Sequence, residues 1–374
     1  MSKVLFVATV VKGHISKFHI PYLKMFQEAG WETAVAARND YESSSDCKIP
    51  FCDTYYDVLF ERSPFKIANI KAFLRLKEIV EQGEYDIIHC HTPVGAILTR
   101  LAAIKARKQG TKVFYTAHGF HFYKGAPLKN WLLYFPAEWL CAHFTDVLVT
   151  INQEDYALAQ KHMKAKKVAY VPGVGIDLKR FTDISVDREK KREELGVPSD
   201  AILLLSVGDL NKNKNHQIII RAMACLNNPK IKYIIAGTGE EAERLVGLAK
   251  SLGLENRVVL LGYRTDIADL CYAADIFCFP SYREGLGLAA IEAMACGLKV
   301  IAAENRGTRE FIFSGKNGIL CQAGDMRGFA EAIDYVMRGE VLANAENNME
   351  TLKVYSVEYV ISAMRRLYLA EMES

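Results

Sequence analysis

The chain has 374 residues, half of them apolar, and a formal net charge of only +3. That length allows two domains with large buried cores, and a charge so close to balance argues against a nucleic-acid partner. No apolar run reaches the ~20 residues that cross a bilayer, so we expect no membrane-spanning helix. The nine cysteines include no Cys-x-x-Cys pair and are interpreted as reduced core residues, which indicates a cytoplasmic protein.

Apolar runs alternate with amphipathic helical patterns along the front half of the chain. Strands are predicted at residues 4–11, 31–37, 86–90, 112–117, 147–151 and 168–171. Helices are predicted between them at residues 18–29, 93–108, 129–143 and 154–162. This alternation predicts a doubly wound parallel sheet of the Rossmann type, and we place this first domain at residues 1–175.

The same alternation restarts after the glycine-containing stretch at 172–177. A second Rossmann-like domain is placed at residues 176–355, with strands predicted at 201–207, 231–236, 258–261, 276–279, 300–302 and 318–320. The final segment, 356–374, is predicted as a helix that crosses back to the first domain. We therefore predict an α/β fold of two doubly wound domains that face each other across a cleft, with ligands at the carboxyl ends of the strands.

Two glutamates flank a glycine-containing loop in the second domain. Glu284 follows the strand predicted at 276–279, and Glu292 lies in the helix predicted at 286–296. Amides at the start of a helix lack intrahelical partners and can meet an anion or a sugar hydroxyl. We expect such contacts from the backbone of Gly285, Leu286, Gly287 and Leu288. Because each carboxylate can hold a pair of hydroxyls, this segment predicts a nucleotide-sugar site.

A second segment has the complementary chemistry for a phosphate. Gly208 ends an apolar strand and allows close backbone approach, and Lys212 and Lys214 follow it as the next helix opens. A helix start supplies partial positive charge and a lysine supplies a full one, so residues 208–216 predict a phosphate site.

Eight of the nine histidines lie in the front half of the chain. The pairs His89 with His91 and His118 with His121 lie close in sequence. Neither pair completes a recognisable tetrahedral set of metal ligands, so we expect no bound metal.

Taken in order, these motifs resemble those of the family four glycosyltransferases, the retaining, metal-independent enzymes of the GT-B architecture that use nucleotide sugars. The most similar branch is that of bacterial capsule and exopolysaccharide assembly. The resemblance covers nearly the whole chain and rests on residues 12–14, 116–119, 208–216, 236–240, 262–266, 274–277, 279–287 and 305–307. The chain lacks the Asp-x-Asp triplet with which metal-using enzymes often hold an ion, so neither a cofactor nor a metal is implied.

The resemblance implies roles for five residues. Lys214 matches the lysine that contacts the donor diphosphate, Glu284 the glutamate that meets the sugar hydroxyls, and Glu292 the glutamate that holds the ribose diol. His118 matches a residue that reaches the donor sugar near its reacting carbon, and Gly13 a glycine that lets the first loop approach the diphosphate. His118, Lys214 and Glu284 are the expected catalytic residues.

Further donor contacts are expected from Gly208, Gly237 and Arg264. One position departs from the family pattern, because many relatives carry an arginine where this chain has Asp209. The missing positive charge is expected from Lys12, Lys212 or Arg264.

The acceptor is expected to bind the first domain, at Lys12, His14, His121 and Lys124. Residues 66–77 carry four cations and no acid, and residues 128–140 are rich in aromatic residues. Both segments suit the surface of an anionic bilayer, or they are ordinary helices whose aromatic residues pack in the core. On the first interpretation the acceptor is a lipid-diphosphate-linked saccharide, and the protein is peripheral at the inner face of the cytoplasmic membrane.

The implied function is a retaining glycosyltransferase that moves a sugar from a UDP-hexose or UDP-N-acetylhexosamine to that acceptor. Two alternatives stay open: a UDP-sugar epimerase of the same shape, and a non-catalytic nucleotide-sugar-binding component of a polysaccharide assembly complex. An epimerase would turn over the donor without an acceptor, whereas a binding component would not turn it over at all. A dinucleotide oxidoreductase is disfavoured, since Gly237 and Gly239 lack the third glycine of the Rossmann fingerprint.

Overall fold

A computed structural model describes residues 1–340 and 345–373. Within them the chain divides into two compact units, one of residues 1–175 with the helix that begins at Val357, and one of residues 176–356. Residues 341–344 of the predicted second domain and residue 374 of the predicted final helix lie outside the described part. Each unit is built on its own sheet.

The first unit contains a parallel sheet with helices on both faces. Its strands are β1 (Lys3–Val10), β2 (Glu32–Arg38), β3 (Thr54–Asp57), β4 (Ile87–His91), β5 (Lys112–Ala117), β6 (Val147–Thr150) and β7 (Lys167–Tyr170). Its helices are α1 (Ser16–Phe18), α2 (Ile20–Glu28), α3 (Ala68–Gly83), α4 (Pro93–Ala102), α5 (Ile104–Lys108), α6 (Leu128–Ala142), α7 (Gln153–His162) and the final helix Val357–Met372. Seven strands of the described residues pair in the order β3-β2-β1-β4-β5-β6-β7, so the order reverses between β1 and β4.

Both faces of this sheet are buried, because successive side chains of a strand point to opposite sides. On one face, Leu5 and Val7 of β1 belong to a core covered by α3, α4 and α6. On the other face, Val4 and Phe6 pack with α2 and with the final helix. A strand that is buried on both faces is a continuous apolar run, which is why the sequence predicts β1, β5 and β6 well.

Two features of the first unit differ from the sequence-based expectation. Strand β3 is not predicted, because it is a four-residue edge strand whose side chains are partly exposed and form no apolar run. The pattern at 93–108 predicts one helix, but the structure has two, α4 and α5, which meet at Ala103.

The final helix is held on the first unit by a buried chain of hydrogen bonds. The hydroxyl of Tyr368 lies 2.6 Å from Nδ1 of His89, and Nε2 of His89 lies 2.8 Å from Oγ1 of Thr116. All three residues are buried. Because buried polar groups need partners, this chain fixes how the helix docks on the sheet.

Apolar side chains also lie on the outer surface of this unit. Those at the start and along the outside of α3 are more than half exposed, namely Ile67, Ile70 and Leu74. On α6, Leu132 and Trp139 are exposed, whereas Trp131 and Tyr134 pack against the core. The aromatic residues of 128–140 are therefore divided between the core, which contains Trp131 and Tyr134, and the outer surface, where Trp139 lies.

The second unit repeats the architecture. Its strands are β8 (Ile202–Val207), β9 (Ile231–Ala236), β10 (Val258–Gly262), β11 (Ile276–Phe279), β12 (Lys299–Ala303) and β13 (Ile319–Cys321). Its helices are α8 (Lys179–Thr182), α9 (Arg188–Glu194), α10 (Gln217–Leu226), α11 (Ala242–Ser251), α12 (Ile267–Ala273), α13 (Leu288–Ala295), α14 (Met326–Met337) and α15 (Ala345–Leu352). The helix Val357–Met372 of the first unit is therefore α16. Among the described residues six strands pair in the order β10-β9-β8-β11-β12-β13.

The strand order of this second sheet reverses between β8 and β11, which lie side by side. Open α/β sheets bind ligands at the carboxyl ends of the strands where the order reverses. The loops at 208–216 and 280–287 follow these two strands, so the fold brings both predicted donor segments to one edge. Helix α10 begins only at Gln217, so residues 209–216, which were expected to open the helix, form a loop with turns.

Candidate active site

Two loops of the second unit are joined by hydrogen bonds at the carboxyl ends of β8 and β11. The amide of Tyr282 donates to the carbonyl of Asn213 at 2.8 Å. Nδ2 of Asn213 donates to the carbonyl of Arg283 at 2.9 Å, and Nδ2 of Asn215 donates to the carbonyl of Pro280 at 3.2 Å. The two asparagines therefore hold the lysine-bearing loop against the glutamate-bearing loop.

Lys214 and Glu284 meet where these loops join. Nζ of Lys214 lies 2.7 Å from Oε1 of Glu284 and 5.2 Å from the centre of the Phe279 ring. The two side chains are only 20% and 15% exposed. Two predicted site residues that are 70 positions apart in sequence thus form a partly buried ion pair, which solvent screens less than it screens a pair at the open surface.

Gly208 and Gly237 permit this close arrangement because they have no side chain. Gly208 has a φ of 149°, and a Cβ there would lie 3.3 Å from Cε of Lys214. A Cβ on Gly237 would lie 1.9 Å from the carbonyl oxygen of Gly208, which no side chain tolerates. Gly208 and Gly237, two of the glycines predicted to bind the donor, therefore lie against each other where the lysine-bearing loop begins.

The glutamate-bearing loop runs directly into α13. The helix begins at Leu288, and Gly287 caps it with a φ of 109°, in the left-handed region that favours glycine. The first amides of the helix therefore follow closely on Glu284 and Gly285 in the chain. Leu286 is buried, so its backbone rather than its side chain is the part available to a ligand.

Glu292 lies in the second turn of α13 and is largely buried. Burial raises the pKa of its carboxyl group to about 7, and the nearby Arg180 opposes that rise only in part. Groups whose pKa is shifted toward neutrality by burial are concentrated at binding and catalytic positions.

Arg264 and Lys212 were both expected to supply the positive charge that is missing at Asp209, and their surroundings differ. Arg264 is bound by two carboxylates, with Nε 2.7 Å from Oδ1 of Asp266 and a second contact to Glu194 at 3.2 Å. Its charge is therefore already balanced inside the second unit. Lys212 is exposed on the loop that carries Lys214.

Arg306 is a cation of this site that the sequence analysis did not assign. It is buried, and its Nε lies 3.4 Å from the carbonyl oxygen of Glu284. The neighbouring Asn305 donates from Nδ2 to the carbonyl of Ser281 at 3.0 Å, which anchors the turn on the glutamate-bearing loop. Residues 305–307 match the family pattern, and a role for Arg306 could have been inferred from that match.

In the first unit, three predicted residues line one cavity of about 200 Å³, namely His14, His118 and His121. The cavity lies among the segments that follow β1, β4 and β5, so it occupies the reversal point of the first sheet. Tyr134 stacks on His121 with the ring centres 4.6 Å apart. These residues form the wall of a site large enough for a small polar group.

The loop after β1 is bound by a carboxylate. The amide of Lys12 donates to Oδ1 of Asp40 at 2.6 Å, and the amide of Gly13 donates to Oδ2 at 3.1 Å. The carboxylate accepts the type of hydrogen bond that a diphosphate oxygen would accept from this loop. Lys12 and Lys124 are exposed, and neither is among the described residues that line the 200 Å³ cavity.

His118 also belongs to a cluster that the sequence analysis missed. In the described part of the chain, ring nitrogens of His14, His19, His91 and His118 lie within 4.8 Å of one another. The expectation that no metal is bound rested on the pairs His89 with His91 and His118 with His121, whereas this group combines residues from three parts of the chain, at 14–19, 91 and 118. Burial lowers the pKa of His118 to about 4, so its ring is neutral at pH 7.

Two doubly wound parallel-sheet units with ligand motifs at their reversal points define the GT-B class of glycosyltransferases. The fold is similar to that of HepE of Anabaena, solved in complex with UDP and glucose, with a TM-score of 0.82, 23% identity, and coverage of 99% of this chain and 100% of that one. It is also similar to that of sucrose-phosphate synthase from Thermosynechococcus elongatus, with a TM-score of 0.79, 21% identity and full coverage of both chains. At such low identity the likeness shows the fold alone.

Sequence comparison identifies the family. The family Glycosyl transferases group 1 matches residues 187–351, and Glycosyl transferase 4-like matches residues 3–152. EpsD of Bacillus subtilis (strain 168) is 40% identical over 99% of this chain and 97% of its own length. The UDP-Gal:alpha-D-GlcNAc-diphosphoundecaprenol alpha-1,3-galactosyltransferase of Escherichia coli is 30% identical over 74% of this chain and 72% of its own length. The chain therefore belongs to the family 4-like, group 1 glycosyltransferases.

Proposed function

We propose that this glycosyltransferase moves a sugar, with retention of configuration, from a UDP-hexose or UDP-N-acetylhexosamine to a lipid-diphosphate-linked saccharide during exopolysaccharide assembly. The observation that carries the proposal is the contact of Lys214 with Glu284 at the strand-order reversal of the second unit. A cation and a carboxylate side by side there can bind a diphosphate and the hydroxyls of the sugar attached to it.

The leaving group determines which charges the site must supply. When the bond between the sugar carbon and the diphosphate oxygen breaks, negative charge grows on the diphosphate and some positive charge on the sugar ring. Lys214 meets the diphosphate in this proposal, with Arg306 as the second cation that compensates for Asp209. Fixed side chains and helix-start amides then provide the charge for which other enzymes use a divalent ion.

Retention places the new bond on the same face of the sugar as the old one. In the proposed step the acceptor oxygen bonds to the reacting carbon as the diphosphate departs, and the acceptor proton passes to the departing phosphate oxygen. His118 is neutral, because burial lowers the pKa of its ring, so it suits the orientation of the sugar by hydrogen bonding rather than charge stabilisation. UDP, which is left when the donor loses its sugar, is the second product.

The choice of donor and acceptor follows from the relatives. The Escherichia coli relative is named for a UDP-galactose donor and an acceptor linked to diphosphoundecaprenol. We extend the uridine nucleotide and the polyprenyl-diphosphate acceptor to this chain.

The test is turnover by the full chain with a panel of nucleotide sugars and polyprenyl-diphosphate-linked saccharides. We expect UDP release only when donor and acceptor are both present, with a product heavier by one sugar and of retained configuration. Addition of millimolar Mg²⁺ or Mn²⁺ is expected to leave the rate unchanged. Donor turnover without an acceptor would indicate an epimerase or hydrolase, and binding without turnover would indicate a non-catalytic component.

Donor binding is expected to weaken below neutral pH through Glu292. Only the ionised carboxylate accepts hydrogen bonds from both ribose hydroxyls, and burial raises the pKa of this group to about 7 in the free protein. As pH falls below 7 the group gains a proton, so the donor KM should rise by up to about tenfold per pH unit. Glu292→Gln, which does not titrate, should bind the donor more weakly at pH 8 and lose this slope. A wild-type KM that is constant from pH 5.5 to 8 would contradict the assignment.

We further propose that the outer surface of α3 and α6 rests on an anionic bilayer. No helix within residues 1–340 and 345–373 is long and apolar enough to pass through one. The exposed Ile67, Ile70 and Leu74 lie among the cations Lys66, Lys71 and Lys77. An apolar face among basic residues is typical of helices that lie in the interface of a membrane. This position would bring the enzyme to a polyprenyl-linked acceptor.

Substitution of this apolar set is expected to release the protein from vesicles. Ile67→Ser combined with Ile70→Ser and Leu74→Ser should lower binding to phosphatidylglycerol vesicles by at least about tenfold, because each apolar side chain contributes on the order of 1 kcal/mol or more when buried. Co-sedimentation measures the effect. Val246→Ser, which changes an exposed apolar residue of the second unit, should bind like wild type. Equal binding by the triple variant and by this control would contradict the proposal.

A further inference from the structure

We propose that His14, His19, His91 and His118 form a binding site for a divalent transition-metal ion of the zinc class. In the described residues one ring nitrogen from each lies within 4.8 Å of those of the other three. The four residues come from the turn after β1, the junction of α1 and α2, the end of β4 and the loop after β5. Neutral imidazole nitrogens are ligands that zinc and its neighbours in the periodic table accept.

Several nitrogens of this cluster are buried without a hydrogen-bond partner. Among the described residues these include Nε2 of His14, both ring nitrogens of His19, and Nε2 of His91. His19 and His91 are each only 1% exposed. Folded proteins rarely leave several buried polar atoms unpaired beside one another, and each such group calls for an explanation such as a bound ion. A cation beside the cluster would give the acceptor nitrogens of His14 and His19 the partner they lack.

One pair of rings already has the spacing of two ligands of such an ion. With zinc–nitrogen distances of about 2.0–2.1 Å, two ligands of a tetrahedral site lie roughly 3.3 Å apart. Nε2 of His118 and Nδ1 of His91 are 3.3 Å apart. The ring of His14 is inclined by 89° to that of His118 and by 52° to that of His91, with ring centres 4.8 Å and 5.8 Å apart. The rings of His19 and His91 are closer to parallel, at 25°, so His19 must turn to complete the set.

The ion would connect segments that the sequence separates. It would tie the turn after β1 to the ends of β4 and β5, which positions His118 in the wall of the 200 Å³ cavity. His14 and His118 both line that cavity, which gives an ion a route of entry. All four ligands belong to the first unit, and the role assigned to this ion is to position His118. The site stands or falls independently of the proposed donor and acceptor.

The experiment is a titration of the chelator-treated full chain with Zn²⁺ and with Co²⁺. We expect one ion per chain by calorimetry, and a Co²⁺ complex with the intense visible absorption of a tetrahedral nitrogen-ligated site. Zn²⁺ should also raise the thermal unfolding temperature. His14→Gln and His91→Gln should each weaken binding by more than the roughly 10–100-fold that the loss of an outer-shell partner causes. His143→Ala, which removes an exposed histidine of the same unit, should bind like wild type.

Two outcomes would overturn the site. One is wild-type protein that shows neither saturable one-to-one binding nor the tetrahedral Co²⁺ spectrum. The other is a folded His91→Gln variant whose Zn²⁺ affinity equals that of the His143→Ala control. Both outcomes can occur while the transferase assay with its panel of donors and acceptors succeeds, so failure of the metal site is distinguishable from failure of the proposed function. If His91→Gln does not fold, the wild-type Co²⁺ spectrum alone decides.

Discussion

Replacement of Lys214 with alanine is expected to lower kcat by about 10²–10³-fold, the loss typical when one preorganised charge is removed from a developing anion. Nζ of Lys214 lies 2.7 Å from Glu284, so the lysine is already held in place before the donor arrives and is spared a reorganisation cost. Glu284→Ala should cause a loss of similar size, because the carboxylate both positions the lysine and meets the sugar in this proposal. UDP release at saturating donor and acceptor measures both effects.

The matched control is Lys250→Ala, which removes an exposed lysine of the same unit and should leave kcat unchanged. Circular dichroism should show that both active-site variants stay folded, since the pair is partly exposed and its loss leaves no fully buried charge. A variant with a raised KM and an unchanged kcat would show that the interaction is equally strong in ground state and transition state. Wild-type kcat in either variant would remove Lys214 and Glu284 from the catalytic machinery.

The second large effect is on stability and involves an ion pair in the core of the first unit. Arg100 and Glu138 lie 2.8 Å apart and are 1% and 6% exposed. Glu138 also accepts a hydrogen bond from the hydroxyl of Tyr115 at 3.0 Å. Glu138→Ala should therefore lower the free energy of unfolding by about 3–5 kcal/mol, because it leaves a buried guanidinium without its counter-charge. Urea denaturation, followed by a spectroscopic signal from the first unit, measures this loss.

Two comparisons make this stability prediction specific. Glu81→Ala breaks a surface pair with Lys105 in the same unit, whose side chains are 32% and 67% exposed, and should cost no more than about 1 kcal/mol. The double variant Arg100→Met with Glu138→Leu should recover most of the lost stability, since apolar residues of similar volume replace a buried pair at little cost. Equal losses in Glu138→Ala and Glu81→Ala would show that burial does not govern the strength of this pair.

The parts of the site that sequence reasoning predicts are those carried by a local pattern. An apolar run that predicts a buried parallel strand precedes each of Gly208, Lys214 and Glu284. Their place at the carboxyl ends of β8 and β11 could therefore be predicted. Arg306 was not assigned, because its segment follows β12 and no local feature reveals that its guanidinium turns back to the carbonyl of Glu284. Strand β3 was missed for a related reason, since an edge strand with partly exposed side chains has no periodicity to detect.

The sequence by itself determined the fold class, the order of most strands and helices, and the family, because apolar periodicity and short motifs are local properties of the chain. Only the tertiary structure decided which side chains meet. Arg100 and Glu138 are 38 positions apart, and the four histidines come from three separate parts of the chain, at residues 14–19, 91 and 118. Such contacts arise when parallel strands bring distant loops to one edge of a sheet and when helices pack across it, and no pattern within a single segment encodes them.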